Sequence, residues 1–265
     1  MAPSGNPEES DTDRPNVARL YDYFLGGTHH FAADRELARK LLAAEPNATS
    51  IAVQNRAFLG RAVRLLLGAG IRQFVDLGSG IPTQLNVHEI AQRGDPDARV
   101  AYVDNDPAAV AHSRHLLRGN ARAVAIEADL RDPAAVSGHA DVTALIDFSK
   151  PVGLLIVGVL HFVADADDPA RVVGTLANML APGSYLAISH ATHEAAPDIA
   201  AQVEELYTYA TAAAHTRTSA EIMRFFEGFD LVEPGLVYLP LWRPDGEPPD
   251  NPEQAWFYAG VGRKP

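Results

Sequence analysis

Residues Phe74 to Thr83, reading Phe-Val-Asp-Leu-Gly-Ser-Gly-Ile-Pro-Thr, constrain this chain more than any other stretch. Ile71, Phe74, Val75 and Leu77 read as a buried strand. The run gives way at once to Gly78, Ser79 and Gly80, where the backbone can turn sharply and meet a ligand with no Cβ in the way. Asp76, just before the turn, can accept hydrogen bonds from the loop or from a ligand, and a carboxylate there argues against bound phosphate and for a cationic or neutral ligand. The rival is the dinucleotide pattern G-x-G-x-x-G, which sets a helix N-terminus against pyrophosphate. Gly78 and Gly80 fill its first two positions, but Thr83 occupies the third. By itself the turn is equally an ordinary strand-to-loop junction.

Downstream of the turn, strands and helices alternate, which belongs to an α/β fold with a parallel sheet. Residues 99–103, 121–126, 152–157 and 184–189 read as the next strands. Helices are expected at 108–118, capped by Asp106 with Pro107 at its first position, then at 133–136, 141–146 and 170–180. A polar, alanine-rich helical stretch near 195–218 interrupts the alternation as part of a lid, with a further helix at 219–228. Two closing strands, 229–238 and 256–262, flank an acidic, proline-rich surface loop from Pro240 to Pro252. Ahead of the first strand the spacing predicts three helices, from Asn16 to Gly27, over 32–44 and over 50–67. The domains expected are a disordered leader at 1–14, a helical N-terminal cap at 15–70 and a core at 71–265 that carries the insertion. Its sheet would have seven strands, mostly parallel with the last antiparallel, and helices on both faces.

Charge and composition remove several functions. A net charge of −12 opposes a sequence-independent grip on nucleic acid, which needs a basic surface. With no cysteine there is no disulfide, thiolate nucleophile or cysteine metal site, which fits a reducing cytoplasm. The longest apolar run, 152–164, falls short of a membrane helix, and the first residues lack the pattern of a secretion signal.

The candidate binding residues all fall at carboxyl ends of strands: Gly78 to Gly80, Asp104, Asp129 and the stretch from Gly158 to Phe162. In open α/β sheets that rim is where ligands bind. An acid after the second strand suits the two hydroxyls of a ribose, and one after the third suits an adenine amino group, so the set describes a nucleoside carrier with no required phosphate.

On these residues the sequence resembles the class I S-adenosylmethionine-dependent methyltransferases, with their Rossmann-like fold. Asp76-Leu-Gly-Ser-Gly80 is similar to the glycine motif, Val103-Asp104 to the ribose acid and Ala128-Asp129-Leu130 to the adenine-side motif. More closely, nearly the whole chain resembles an actinobacterial S-adenosyl methyltransferase family, DUF574. The segments that carry this are Pro15 to Gly27, Gln54 to Phe58, Phe74 to Thr83, Tyr102 to Pro107, Leu160 to Phe162 and Glu233 to Val237. The resemblance implies S-adenosyl-L-methionine as cofactor. Gly78, Ser79 and Gly80 would pass close to its methionine part beside Asp76, Asp104 would hold the ribose, and Asn105, Asp129 and Leu130 would frame adenine. Gly158 and Val159 would lie near the transferred methyl. Tyr21, Gly26, Gly27 and Arg56 would cover the cofactor, with Arg56 pairing its carboxylate.

Methyl transfer asks mainly for positioning and exclusion of water, which leaves the acceptor open; a small metabolite with an oxygen or nitrogen nucleophile is expected. His161 reads equally as a base for such an acceptor and as a neutral core histidine. The His190-Ala-Thr-His193-Glu194 stretch reads as a polar pocket rim rather than a zinc site. His29 and His30 read as a solvated loop, and Tyr21, Tyr23 and Phe24 as helix packing. Two other functions stay open on the residues, a cofactor-binding sensor without transferase activity and a nicotinamide-dependent oxidoreductase, the latter opposed by Thr83.

Overall fold

Short polar caps decide where the helices begin. The computed structural model describes residues 12–83 and 85–265. Asn16, its Oδ1 accepting from the Ala18 and Arg19 N–H groups at 2.8 and 3.1 Å, starts α1 (Val17–Phe24). Asp34, near the start of α2 (Ala32–Ala44), accepts from the Asn16 and Phe31 N–H groups and pairs with Arg19 Nε at 2.8 Å, so one buried carboxylate ties the two helix starts together. Leu20 and Phe24 pack on Leu37 and Leu41, and on Ala52 of α3 (Ala48–Gly68). Of the expected leader, residues 1–11 lie outside the described residues. Arg14 is held, its Nη2 donating to the Ala210 carbonyl at 2.6 Å, while Thr211 N–H donates to Pro15 O.

The Asn16 side chain also donates through Nδ2 to Asp106, the residue that caps a helix of the core, so it joins the two layers. Asn16→Ala is therefore expected to cost about 1–2 kcal/mol, read as a lower midpoint in urea.

The sheet contains β1 (Gln73–Leu77), β2 (Arg99–Asp104), β3 (Ala123–Glu127), β4 (Gly153–Val157), β5 (Tyr185–Ala191), β6 (Asp230–Leu231), β7 (Val237–Tyr238) and β8 (Phe257–Arg263). Its order is β3-β2-β1-β4-β5-β8-β6, with β7 also pairing β8. The first five strands run parallel; β8 is antiparallel to β5, and β6 and β7 are antiparallel to β8. The strand expected over 229–238 is thus two short ones. Between them Gly235 turns the backbone at φ 87°, and the ladder breaks there. The described residues thus form eight strands in place of seven.

The other α-helices of the described residues are α4 (Val87–Gly94), α5 (Pro107–Leu116), α6 (Pro133–Ser137), α7 (Ala140–Leu145), α8 (Pro169–Asn178), α9 (Pro197–Tyr207) and α10 (Ser219–Met223). α4 adds a helix to those expected: Asn86 and Glu89 form a capping box, and Val87, Ile90 and Ala91 are buried at helical spacing. Successive strand residues serve opposite faces: Phe74 and Val100 pack under α3 and α4, while Val75 and Ala101 meet Val142 and Leu176 on the other side. α3 ends before the division expected at residue 70 but packs on both sides of it. Its first turns pack with α1 and α2, and Phe58, Leu59, Ala62 and Leu66 share a core with Phe74.

Two expected segments differ. Only Pro197–Tyr207 of the stretch near 195–218 is helical, and the residues after it form turns and bends and then irregular backbone. The loop from Pro240 is anchored before it leaves the surface: Trp242 is fully buried, edge-on to Phe58 at 5.1 Å, and its carbonyl accepts from Arg61 Nε at 2.8 Å. None of the described helices is long and apolar enough to cross a membrane.

Candidate functional site

Where the strand order reverses, between β1 and β4, two glycine turns lie against each other. Gly78 has φ 67°, and a Cβ placed there would sit 2.5 Å from Val159 Cγ2, so both the backbone and the neighbour demand glycine. Gly158 has φ 73°, and its Cβ would fall 2.8 Å from Asn55 Nδ2. The Gly80 N–H donates to Asp104 Oδ2 at 2.7 Å and the Asp106 N–H to Oδ1 at 2.9 Å. Asp104 therefore fixes the shape of the glycine loop, and its remaining lone pairs stay available to hydroxyl donors.

A cavity of about 650 Å³ opens over these turns, roofed by α1, the start of α3 and the 211–216 segment. Tyr21, Arg56, Asp76, Gly78, Ser79, Gly80, Asp104, Asn105, Asp129, Leu130, Gly158, Val159 and His161 all line it. Gly26 does not. It is exposed, with φ 75°, and ends α1 beyond the cavity wall, so its place in a cofactor cover is corrected to a turn. Gly27 is constrained differently: a Cβ there would overlap the buried Asp22 carboxylate.

The charges on the lining are unequal. Burial pushes the Asp76 carboxyl up to about 7; Arg56 opposes the shift and Asp104 adds to it. Arg56 is buried with its Nε lacking a hydrogen-bond partner, and its guanidinium lies 5.6 Å from the Tyr21 ring centroid. Burial likewise raises Asp104, against the backbone N–H groups it accepts from. Burial alone would raise Asp129, but hydrogen bonds and charge from Arg131 hold it below the usual carboxylate range, with a contact at 2.6 Å.

Beyond the turns the walls change character. The Ser189 hydroxyl donates to Asn55 Oδ1 at 2.6 Å and Asn55 Nδ2 donates to the Tyr21 hydroxyl at 3.0 Å, a relay from β5 through α3 to α1. His161 is buried, its Nδ1 unpartnered, and burial followed by the charges of His190, Arg217 and His215 holds it well below the usual histidine range. It is neutral at ordinary pH and a weak base.

The stretch from His190 to Glu194 forms no polar rim, since only Ala191 of it reaches the lining. His190 is fully buried, its Nδ1 donating to the Ala191 carbonyl at 2.7 Å and its Nε2 accepting from Arg217 at 2.9 Å. Arg217 also donates to Leu160 O, Val163 O and Asp165, which pins the loop that carries His161. His29 is exposed, as a solvated loop would have it, and packs against His112 with ring centroids 4.4 Å apart. Phe24 both packs within the helical layer and lines the cavity.

Glu45, Asn55, Arg131, Tyr207 and Trp256 also line the cavity, and no sequence motif marks them individually. Asn55 falls within the family-like segment Gln54 to Phe58. The others come from remote parts of the chain, and nothing in their local spacing signals convergence.

The model of a family described as S-adenosyl methyltransferase matches residues 3–265. The chain is similar to the crystal structure of a DUF574 family protein from Streptomyces avermitilis MA-4680, with 40% identity and a TM-score of 0.92 over 96% of this chain and 99% of that one. It is also similar to a candidate methyltransferase from Thermobifida fusca YX, with 42% identity and a TM-score of 0.90 over 96% of each chain. The plantazolicin methyltransferase BpumL, solved with S-adenosylhomocysteine, shares the fold at 14% identity and a TM-score of 0.53, over 94% of this chain and 95% of that one. No curated protein matches the chain.

Proposed function

Because the chain belongs to the S-adenosyl methyltransferase family and its cofactor is S-adenosylmethionine, we propose that it methylates an oxygen or nitrogen atom of a small molecule enclosed in this cavity. The observation that carries the reading is the unpartnered, buried Arg56 Nε at one end of a glycine cradle whose other end offers Asp104. A buried guanidinium seeks a carboxylate, and the amino-acid end of the cofactor carries one. Asp76 beside it suits the neighbouring ammonium, Asp104 the ribose hydroxyls, and Asn105, Asp129 and Leu130 the adenine. When bound, the cofactor would supply a methyl on a cationic sulfur, open to in-line attack by an acceptor lone pair, with the C–S bonding pair departing to the sulfur.

The chain's own work is then positional. Gly78 and Val159 shape the floor, the roof excludes water, and the neutral His161 imidazole orients the acceptor through a hydrogen bond rather than holding its proton. The methylated product would carry its extra proton out of the cavity and give it up to bulk water.

Calorimetric titration with S-adenosylhomocysteine and with NAD tests the cofactor part, and formation of S-adenosylhomocysteine from S-adenosylmethionine and a metabolite extract tests the acceptor part. NAD binding in preference would overturn the first, and turnover only on macromolecular fractions the second. Arg56→Ala is expected to weaken S-adenosylhomocysteine binding by roughly 30-fold, the worth of a buried charge-assisted pair, with Arg56→Lys recovering only part because the two-point geometry is lost. Unchanged affinity in Arg56→Ala would remove the carboxylate assignment.

A further inference from the structure

The half of the cavity beyond the glycine turns is walled by the rings of Phe162, Tyr207, Trp256 and Phe257. Trp256 is the most constrained of them. Its φ of 27° lies in a left-handed region that a bulky residue occupies only when its surroundings hold it there. Its indole Nε1 donates to Glu45 Oε2 at 2.9 Å, and Oε1 of the same carboxylate accepts from the Asn47 N–H at 2.6 Å. Glu45 is itself 5% exposed and lines the cavity.

The charge on this side has one sign. Among the described lining residues there is no lysine, and the only arginines are Arg56 and Arg131, both beside the cofactor cradle. Arg131 is spent on Asp129 and Asp167, and Arg217, behind the wall, on carbonyls and Asp165. An anionic group here would meet the Glu45 carboxylate and find no free arginine or lysine, whereas a flat ring would meet aromatic faces and edges on several sides. The neutral imidazole of His161 has a buried ring nitrogen, Nδ1, with no partner, and a hydroxyl or amino group can serve it in either tautomer, by donating to it or by accepting from it.

We infer that the methyl acceptor is a planar aromatic molecule bearing an O–H or N–H and no carboxylate or phosphate, seated against Trp256, with Glu45 as the positioning residue that sets the indole as its platform. This rests on the methyl-transfer reading and narrows its substrate class.

The test uses the full chain, with and without S-adenosylhomocysteine, and three matched probes: 2-naphthol, its carboxylate analogue 2-naphthoate and the saturated decahydro-2-naphthol. Calorimetry should show 2-naphthol binding about tenfold tighter than either of the others. Trp256→Ala should lower 2-naphthol affinity about tenfold while leaving S-adenosylhomocysteine affinity within about twofold, and Glu45→Gln should lie between it and the parent. Phe257→Leu serves the same purpose if Trp256→Ala does not fold. Equal or tighter binding of 2-naphthoate or of the saturated probe, or no loss in any variant, overturns the inference. Failure of S-adenosylhomocysteine to bind would instead strike the cofactor assignment, and the probes titrated alone would still decide the aromatic chamber.

Discussion

Gly78→Val should abolish measurable binding of S-adenosylhomocysteine, with a loss of roughly a thousandfold or about 4 kcal/mol. Two costs add at one atom. The backbone at φ 67° is strained for any residue with a Cβ, and that Cβ would fall 2.5 Å from a Val159 methyl, far inside van der Waals contact. The β1 turn can relieve the overlap only by swinging away from β4, and that displaces Gly80 from the Asp104 carboxylate it donates to. Gly78→Ala combined with Val159→Ala separates the two costs, since it removes both methyl overlaps, leaves only the Val159 Cβ at 3.1 Å, and keeps the strain; it should recover part of the affinity. Calorimetry and thermal melting of the three proteins decide it. Binding by Gly78→Val within about tenfold of the parent would show that the cradle lies elsewhere.

Stability of the ligand-free chain should fall as pH rises from about 4 to about 8, through Asp76. Burial raises this carboxyl from 3.8 to about 7, so the folded state holds a proton that the unfolded state has released. The stability from keeping Asp76 neutral is fully present below the unfolded value and is lost as pH passes the folded one. The full difference is on the order of 4 kcal/mol. Urea denaturation of Asp76→Asn, which cannot ionise, should show a flatter pH dependence, with the largest gain over the parent near pH 8. The same carboxylate, ionised above about 7, should make S-adenosylhomocysteine binding tighter at pH 8 than at pH 6, because the ligand's ammonium then meets a charge. Parallel curves for parent and Asp76→Asn would place the titration on another group.

Much of the fold is legible in the sequence because its signals are local. The alternation of apolar runs and helical spacings marks the five parallel strands and the three leading helices, and the bounds of α2 agree residue for residue. α4 is hard to read because it is only eight residues long, half of them polar, and only the Asn86 and Glu89 pair marks its start. The break between β6 and β7 falls where Gly235 turns at φ 87°, inside a stretch whose apolar residues read as one strand. Within the site, glycines and acids at strand ends are readable because the sheet itself brings strand ends together. Glu45, Tyr207 and Trp256 meet only through the packing of α2, α9 and the last strand, so no short window contains their relation. His161 is readable as a site residue, but its weakness as a base depends on His190, Arg217 and His215 arriving from elsewhere.

The construction of the cavity from two sources bears on how relatives of this chain diversify. On the function proposed above, the grip on the methyl donor would come largely from the sheet's rim, and the acceptor side would be shaped by the end of α2, by α9 and by the segment after it. Insertions and exchanges in those outlying segments can therefore retarget the chemistry while the donor machinery is inherited intact. One ancestral scaffold can in this way seed a repertoire of enzymes that differ in what they modify and agree in how.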